Sequence, residues 1–319
     1  MGNKVRWGIV SAGRISHTFA KDMFYVENAE IEAVAARQLS SAQEFANEYG
    51  IVKAYHGYDL LFNDDDIDAV YISTPHSYHY EHTKQALEAG KHVLCEKPFT
   101  VNPEQCIELA EFAKSKGLFL MEAVWTYFLP AIKKAKQWIA EGRIGELKHI
   151  TADFGYPLPY DPNRREWDAD LGGGCLLEMG IYPVCFNYLF NGSVNYDMQV
   201  IGKRAPNGAD RDVTVTLDYG KQVSVLHTTF DARLPNWGAI VGTEGYIIIP
   251  DFFRASEASL YVIDDKVDYF VDNRKGSGFE FEIAAASQAI LDGKLETEEM
   301  PLATSLHFQQ QMQSILSKF

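Results

Sequence analysis

Val5-Arg6-Trp7-Gly8-Ile9-Val10-Ser11-Ala12-Gly13-Arg14-Ile15-Ser16 runs from an apolar strand through a turn of small residues into the start of a helix. In nucleotide-binding α/β domains such a turn presents free backbone N–H groups at a helix N-terminus to a pyrophosphate. The strict fingerprint is Gly-x-Gly-x-x-Gly. Here only Gly13 is glycine, and Ser11 and Ser16 take the other two places. Read alone, the segment is either a pyrophosphate turn or a plain strand-to-helix turn. On the first reading Ser11, Ala12, Gly13, Arg14 and Ile15 are the cofactor-binding residues.

Outward from this turn, short apolar runs alternate with helix-length segments as far as residue 124. The strands are expected at Val5–Ser11, Ile31–Ala36, Ala69–Thr74, Val93–Cys95 and Leu118–Val124. The helices are expected at Gly13–Phe24, Ser41–Tyr49, Glu81–Ala89 and Pro103–Ser115. Such alternation implies crossover units and a parallel sheet, and strands that are apolar throughout imply helices on both its faces. Beyond residue 125 the texture changes. A helix over Pro130–Glu141 and another within Leu171–Asn191 precede strand after strand from Met198 to about Val271. Asp212–Asp218 and Gln222–Thr228 read as a hairpin around Tyr219-Gly220, and helices follow near Phe279–Leu291 and Ala303–Ser317. The fold expected is an α/β Rossmann domain over residues 1–124 plus an α+β domain over 125–319. The second carries a large, mostly antiparallel open sheet.

Composition narrows the function. The 319 residues carry a formal net charge of −15. Nucleic-acid binding needs a basic face to displace counterions, so no nucleic-acid partner is expected, and an anionic membrane surface is disfavoured. No run is long and apolar enough to span a bilayer, and no apolar leader precedes the first strand. Met1-Gly2 resembles a lipidation signal, but Arg6 stands where Ser or Thr is required. Cytoplasm follows by elimination. The four cysteines, Cys95, Cys106, Cys175 and Cys185, form no Cys-x-x-Cys pair and read as reduced, buried thiols.

The end of the second strand bears on cofactor choice. NAD-preferring sites place an acid there for the ribose 2′-OH. This chain has Ala35-Ala36-Arg37-Gln38-Leu39-Ser40-Ser41. Arg37 suits a 2′-phosphate, which favours NADP and leaves NAD open. Ser40 and Ser41 suit either that phosphate or the cap of the next helix, with capping favoured for at least one.

Two further segments carry a family resemblance. Ser73-Thr74-Pro75-His76-Ser77-Tyr78-His79 follows the third strand, and Gly90-Lys91-His92-Val93-Leu94-Cys95-Glu96-Lys97-Pro98 follows the next helix. The pairing resembles the glucose–fructose oxidoreductase/inositol dehydrogenase/MocA family from Val5 to about Pro183. Ala-Ala-Arg, Glu122-Ala-Val-Trp125 and Gly172-Gly-Gly…Gly180-Ile-Tyr-Pro183 resemble its dihydrodiol and NADP-linked D-xylose dehydrogenase branch. The resemblance implies an NAD(P)-dependent oxidoreductase acting on a sugar or cyclic diol, as a homodimer or higher even oligomer. It implies that Lys97 is the catalytic lysine, and that Thr74, Pro75, His76, His79 and Glu96 line the cofactor. Many relatives have Asp at the Glu178 position and His at the Tyr182 position, and this chain departs at both.

Hydride transfer at a carbinol also moves a proton, which a positioned side chain must take or give. Lys97, Tyr182 and His79 are the candidates, and each has a plainer reading: a solvated loop lysine, a half-buried helix tyrosine, a helix-start cap. Glu96 is placed to orient the backbone or to pair with a cation. Arg165 and Trp167 are candidates to close over the nicotinamide, or a surface arginine and a packing tryptophan. Trp125, Phe154 and Glu178 join Tyr182 as substrate-side candidates, with core packing the alternative for the aromatics. No metal site is expected from His76, His79 and His82. A dinucleotide-binding sensor without catalysis is the rival function.

Overall fold

The computed structural model describes residues 4–168, 171–192 and 195–319. Met1 and Gly2, weighed above as a lipidation signal, lie outside them. The chain forms two compact units. One is the chain through Trp125 together with Arg274–Leu306, and the other is Thr126–Asn273 with His307–Phe319. The expected division at 124/125 did not include this return of the chain to the first unit.

The first unit is built on six parallel strands: β1 (Val5–Val10), β2 (Ala29–Ala36), β3 (Lys53–His56), β4 (Ala69–Ile72), β5 (His92–Glu96) and β6 (Leu120–Ala123). Their order is β3-β2-β1-β4-β5-β6, so the direction of winding reverses between β1 and β4. β4 and β6 are buried at every position, which explains their unbroken apolar runs. Helices α1 (Arg14–Met23), α2 (Leu39–Tyr49), the short α3 (Asp59–Phe62), α4 (His79–Glu88) and α5 (Pro103–Lys116) supply the crossovers. Leu87, Val93, Cys95, Cys106 and Leu109 share one core. All four cysteines are buried free thiols. Lys91, in the Gly-Lys-His-Val motif, is structural: its ammonium reaches the carbonyls of Asp64 at 2.7 Å and Ile67 at 2.8 Å.

In the second unit, β7 (Leu147–Gly155), β8 (Asp197–Arg204), β9 (Asp210–Asp218), β10 (Val223–Thr229), β11 (Gly238–Gly242), β12 (Tyr246–Ile249), β13 (Glu257–Val262) and β14 (Asp265–Val271) form one sheet. Its order is β14-β13-β12-β11-β7-β10-β9-β8. Only the β7–β10 pairing is parallel. β9 and β10 are the expected hairpin. α6 (Pro130–Ala140) and α7 (Ile181–Asn191) pack on one sheet face. The other face presents Val225, Val241, Tyr246, Ile248 and Tyr261, by the alternation and register of their strands.

α8 (Phe279–Leu291) and the start of α9 (Leu302–Leu316) belong to the returning segment. α8 packs on α1 and β1, and the Trp7 indole N–H donates to Ser287 Oγ at 3.0 Å.

Candidate active site

The pyrophosphate turn departs from its fingerprint at two serines, and the structure supplies a reason for one. Ser16 is fully buried, with its hydroxyl 2.7 Å from the Ser11 carbonyl and 2.7 Å from the Ser73 hydroxyl. Ser73 Oγ in turn lies 3.0 Å from the Val10 carbonyl. This hydroxyl chain ties α1 to the ends of β1 and β4, where a glycine would only allow close approach. Ser11 adopts φ 91°, the left-handed conformation that favours glycine, at a cost of roughly 1–2 kcal/mol.

The turn fits a dinucleotide phosphate. α1 starts after an extended Gly13 with no side chain capping it and no acid in its first turn. Those N–H groups and the positive end of the helix are therefore available to an anion. Ala12 is half-buried, and Arg14 and Ile15 are exposed at the helix start. Arg37 follows the last residue of β2 and is exposed. Tyr58 lies close enough to feel its charge: burial raises the phenol's pKa, and Arg37 opposes the rise. α2 begins at Leu39 after Gln38, so Ser40 and Ser41 lie inside its first turn and neither is its cap.

Lys97 follows β5 directly, at the carboxyl edge where open α/β sheets bind ligands. It is half-buried, and its bond to Pro98 is cis. Glu96 is buried beneath it. The Tyr71 hydroxyl donates to Glu96 Oε1 at 2.5 Å and the Lys97 N–H to Oε2 at 3.1 Å. Burial raises the Glu96 pKa, while Lys97 and these hydrogen bonds oppose it. Glu96 thus orients the backbone, one of the two roles expected of it.

His79 is placed differently from expectation. It is fully buried at the start of α4, with Nδ1 2.8 Å from the Pro98 carbonyl and Nε2 2.7 Å from the Thr74 carbonyl. Burial pulls its pKa down to about 4 against those two carbonyls. Both nitrogens face backbone carbonyls, and the neutral imidazole, with one N–H, donates to one of them at a time. His79 ties the Thr74 loop to the Lys97 loop. Thr74 Oγ1 lies 3.0 Å from His82 Nδ1. Pro75 precedes a short 3-10 turn that buries His76 with its ring 5.6 Å from that of His79. Trp125 is buried against Phe279, ring centroids 4.6 Å apart.

In the second unit, the triple glycine leads into a π turn at Leu176–Gly180, then into α7. Gly174 has φ +125°, and a Cβ there would stand 2.1 Å from Asp210 Oδ1. Asp210 needs that space, because its buried carboxylate accepts from the Leu176 N–H at 2.7 Å. Glu178, on the π turn, pairs with Arg165. Tyr182 is buried, its ring 5.4 Å from Phe154, and both rings meet Phe253. Arg165–Glu178 and Phe154–Tyr182 are therefore brought together as pairs. Trp167 packs edge-on to Tyr160 and Phe230, with its N–H on the Pro159 carbonyl at 3.1 Å.

Two residues that hold this geometry are not among the site candidates read from the sequence. Glu122, on β6, accepts the Phe99 N–H at 2.8 Å. Asp22, on α1, accepts backbone N–H groups of the returning segment. An acid inside the apolar run Leu118–Val124 was the available signal for the first. The second had none, since its partners are some 255 residues away.

A reversing parallel sheet whose crevice offers an uncapped helix start and a lysine turn is the frame of a nicotinamide-dinucleotide-binding oxidoreductase. Residues 5–124 match the oxidoreductase family with NAD-binding Rossmann fold, and residues 132–248 match the GFO/IDH/MocA C-terminal domain. The chain belongs to the GFO/IDH/MocA oxidoreductase family. It is 37% identical over 311 residues to the trans-1,2-dihydrobenzene-1,2-diol dehydrogenase of Xenopus laevis, covering 94% of this chain and 93% of that one. To the Bos taurus enzyme of the same name it is 41% identical over 312 residues, covering 94% and 92%. A 3-ketoreductase from Actinomadura kijaniata, crystallised with NADP and TDP-benzene, superposes with a TM-score of 0.87 at 27% identity, covering 99% of this chain and 98% of that one. An aldose–aldose oxidoreductase from Caulobacter crescentus shares the fold, with a TM-score of 0.90 at 20% identity over 99% and 97% of the two chains. Among the described residues, no helix is long and apolar enough to cross a membrane.

Proposed function

We propose that this protein is an NADP-dependent dehydrogenase acting on a CH–OH group of a sugar or cyclic diol. The observation that carries the reading is Lys97 at the carboxyl edge of β5, in a chain similar over most of its length to diol dehydrogenases. The nicotinamide supplies the hydride acceptor or donor. Lys97 takes the hydroxyl proton in oxidation and returns it in reduction. Tyr182 is the second proton-handling group, holding the substrate oxygen or relaying its proton. The aromatic setting of Phe154 and the Arg165–Glu178 pair support a substrate role for that part of the second unit. The test is absorbance at the nicotinamide band with a panel of pentoses, hexoses and cyclic diols, each with NADP and NAD. Dinucleotide binding without turnover of any of them would favour the sensor.

Arg37 underlies the cofactor preference. Arg37→Ala is expected to weaken NADP binding about tenfold, roughly 1–2 kcal/mol for an exposed charged pair, and NAD binding little. Fluorescence titration with both nucleotides checks this. Equal losses would assign Arg37 to stacking on adenine alone.

The open face of the eight-stranded sheet supports assembly as a homodimer or higher even oligomer, each copy covering the other's exposed strands. Sedimentation at micromolar concentration is expected to give at least twice the 35.9 kDa chain mass. A monomer would refute it. A cytoplasmic location completes the proposal.

A further inference from the structure

We propose that Glu122 is a positioning residue for Lys97, holding the Lys97–Phe99 turn in its working geometry. The inference rests on the catalytic reading of Lys97. Three buried side chains hold that turn from different elements. Glu96 accepts the Lys97 N–H at 3.1 Å, His79 meets the Pro98 carbonyl at 2.8 Å, and Glu122 accepts the Phe99 N–H at 2.8 Å. Glu96 belongs to the strand that carries the lysine, and His79 joins two loops. Glu122 ties the turn to the neighbouring strand β6, where it stands opposite Cys95 in register.

Its chemical setting shows that the acid is kept against a cost. Glu122 is fully buried, and its strand neighbours Leu120, Met121 and Ala123 are apolar. Burial pushes its pKa up to about 7, with the Lys97 charge among the effects opposing the rise. A leucine would fill the same place more cheaply, were packing the residue's only task. With no oxygen there, the buried Phe99 N–H would lose its acceptor and the turn would be free to shift. Misplacement of a reacting group by about 1 Å can cost on the order of 100-fold in rate.

The experiment uses the full-length protein with three substitutions, Glu122→Leu, Glu122→Asp and Glu122→Gln, each also made in a Lys97→Met background. Single-turnover hydride transfer is expected to slow by about 10–100-fold for Glu122→Leu. NADP affinity, read by fluorescence, should change less than about threefold, since the pyrophosphate turn is untouched. Amide exchange at Phe99 should quicken. Glu122→Gln keeps an oxygen acceptor and should retain the wild-type rate and slow exchange. Glu122→Asp keeps the carboxyl but shortens its reach, and should lose rate in smaller degree; it carries the test if the leucine variant does not fold. In the Lys97→Met background none of the three should slow hydride transfer further, because Glu122 acts through the lysine.

Equal losses in both backgrounds would overturn the proposal. So would a wild-type hydride rate in a folded Glu122→Asp protein whose Phe99 amide exchanges fast. A slow Lys97→Met enzyme beside unimpaired Glu122 variants would remove the positioning role alone. A wild-type rate in Lys97→Met would remove the catalytic reading and this inference together.

Discussion

Lys97→Met is expected to lower kcat by about 10²–10⁴ while leaving nucleotide affinity nearly unchanged. Methionine keeps an unbranched stem of similar length and removes only the amine. The half-buried side chain leaves β5 at the sheet's carboxyl edge, and its backbone N–H is already held by Glu96. The substitution should therefore leave the turn in place. As hydride leaves the carbinol carbon, the hydroxyl proton needs an acceptor in the same transition state, and in the proposed reaction the amine is that acceptor. Its removal acts on the chemical step rather than on binding, so kcat and kcat/KM should fall together. Tyr182→Phe should cost less if the phenol is a relay. Single-turnover hydride transfer decides the matter: a wild-type rate in Lys97→Met would make the lysine structural. Tyr182 or His79 would then have to carry the proton, His79 by giving up its contact with one of the two backbone carbonyls.

The largest expected effect on stability lies far from the chemistry. Asp22 is buried on α1 and accepts the N–H groups of Ser277 at 2.8 Å, Gly278 at 3.0 Å and Phe279 at 2.9 Å. It thereby caps the N-terminus of α8 from the other end of the chain. Removing the carboxylate leaves the N–H groups of Ser277 and Phe279 without an acceptor, the second from a buried hydrogen bond, while Gly278 keeps Glu280. It also takes a negative charge from the positive end of a helix. A buried donor left unpaired costs about 1–3 kcal/mol, so with the half-buried donor and the helix-end charge also lost, Asp22→Ala should destabilise by about 2–4 kcal/mol. A lower urea midpoint with an unchanged m-value would show this. Asp22→Asn, which keeps one oxygen acceptor, should lose less. A loss below about 1 kcal/mol for Asp22→Ala would mean that water or Glu280, whose carboxylate already accepts the Gly278 N–H at 2.8 Å, takes over the cap.

Elements whose side chains repeat a local pattern were legible before the fold was known. β1, β4 and β6 are buried on both faces, so their apolar runs stand out. α8 was placed at its observed ends, Phe279–Leu291. Two strands were not seen. β3 is four residues of mixed exposure at a sheet edge. β7 buries Ile150, Ala152 and Phe154 and turns His149, Thr151 and Asp153 to the other face, so its polar residues break the apolar run although it lies in the middle of its sheet. The site divided in the same way. Lys97 was legible because its neighbours in the chain are its motif. Asp22 was not, because its partners are brought to it only by the return of residues 274–306 to the first unit.

By itself the sequence determined the parallel nucleotide-binding sheet, the strand-rich second half, and the lysine turn behind β5. The first two rest on periodicity, which neighbouring residues dictate, and the third on the resemblance of Glu96-Lys97-Pro98 to a family motif. The tertiary structure alone decided that His79 faces two backbone carbonyls, that Trp167 packs between Tyr160 and Phe230, and that Glu122 on β6 accepts the Phe99 N–H. A histidine, a tryptophan and a glutamate each carry both polar and packing capacity. Which one is used depends on what surrounds the side chain, and that is set by residues distant in the chain.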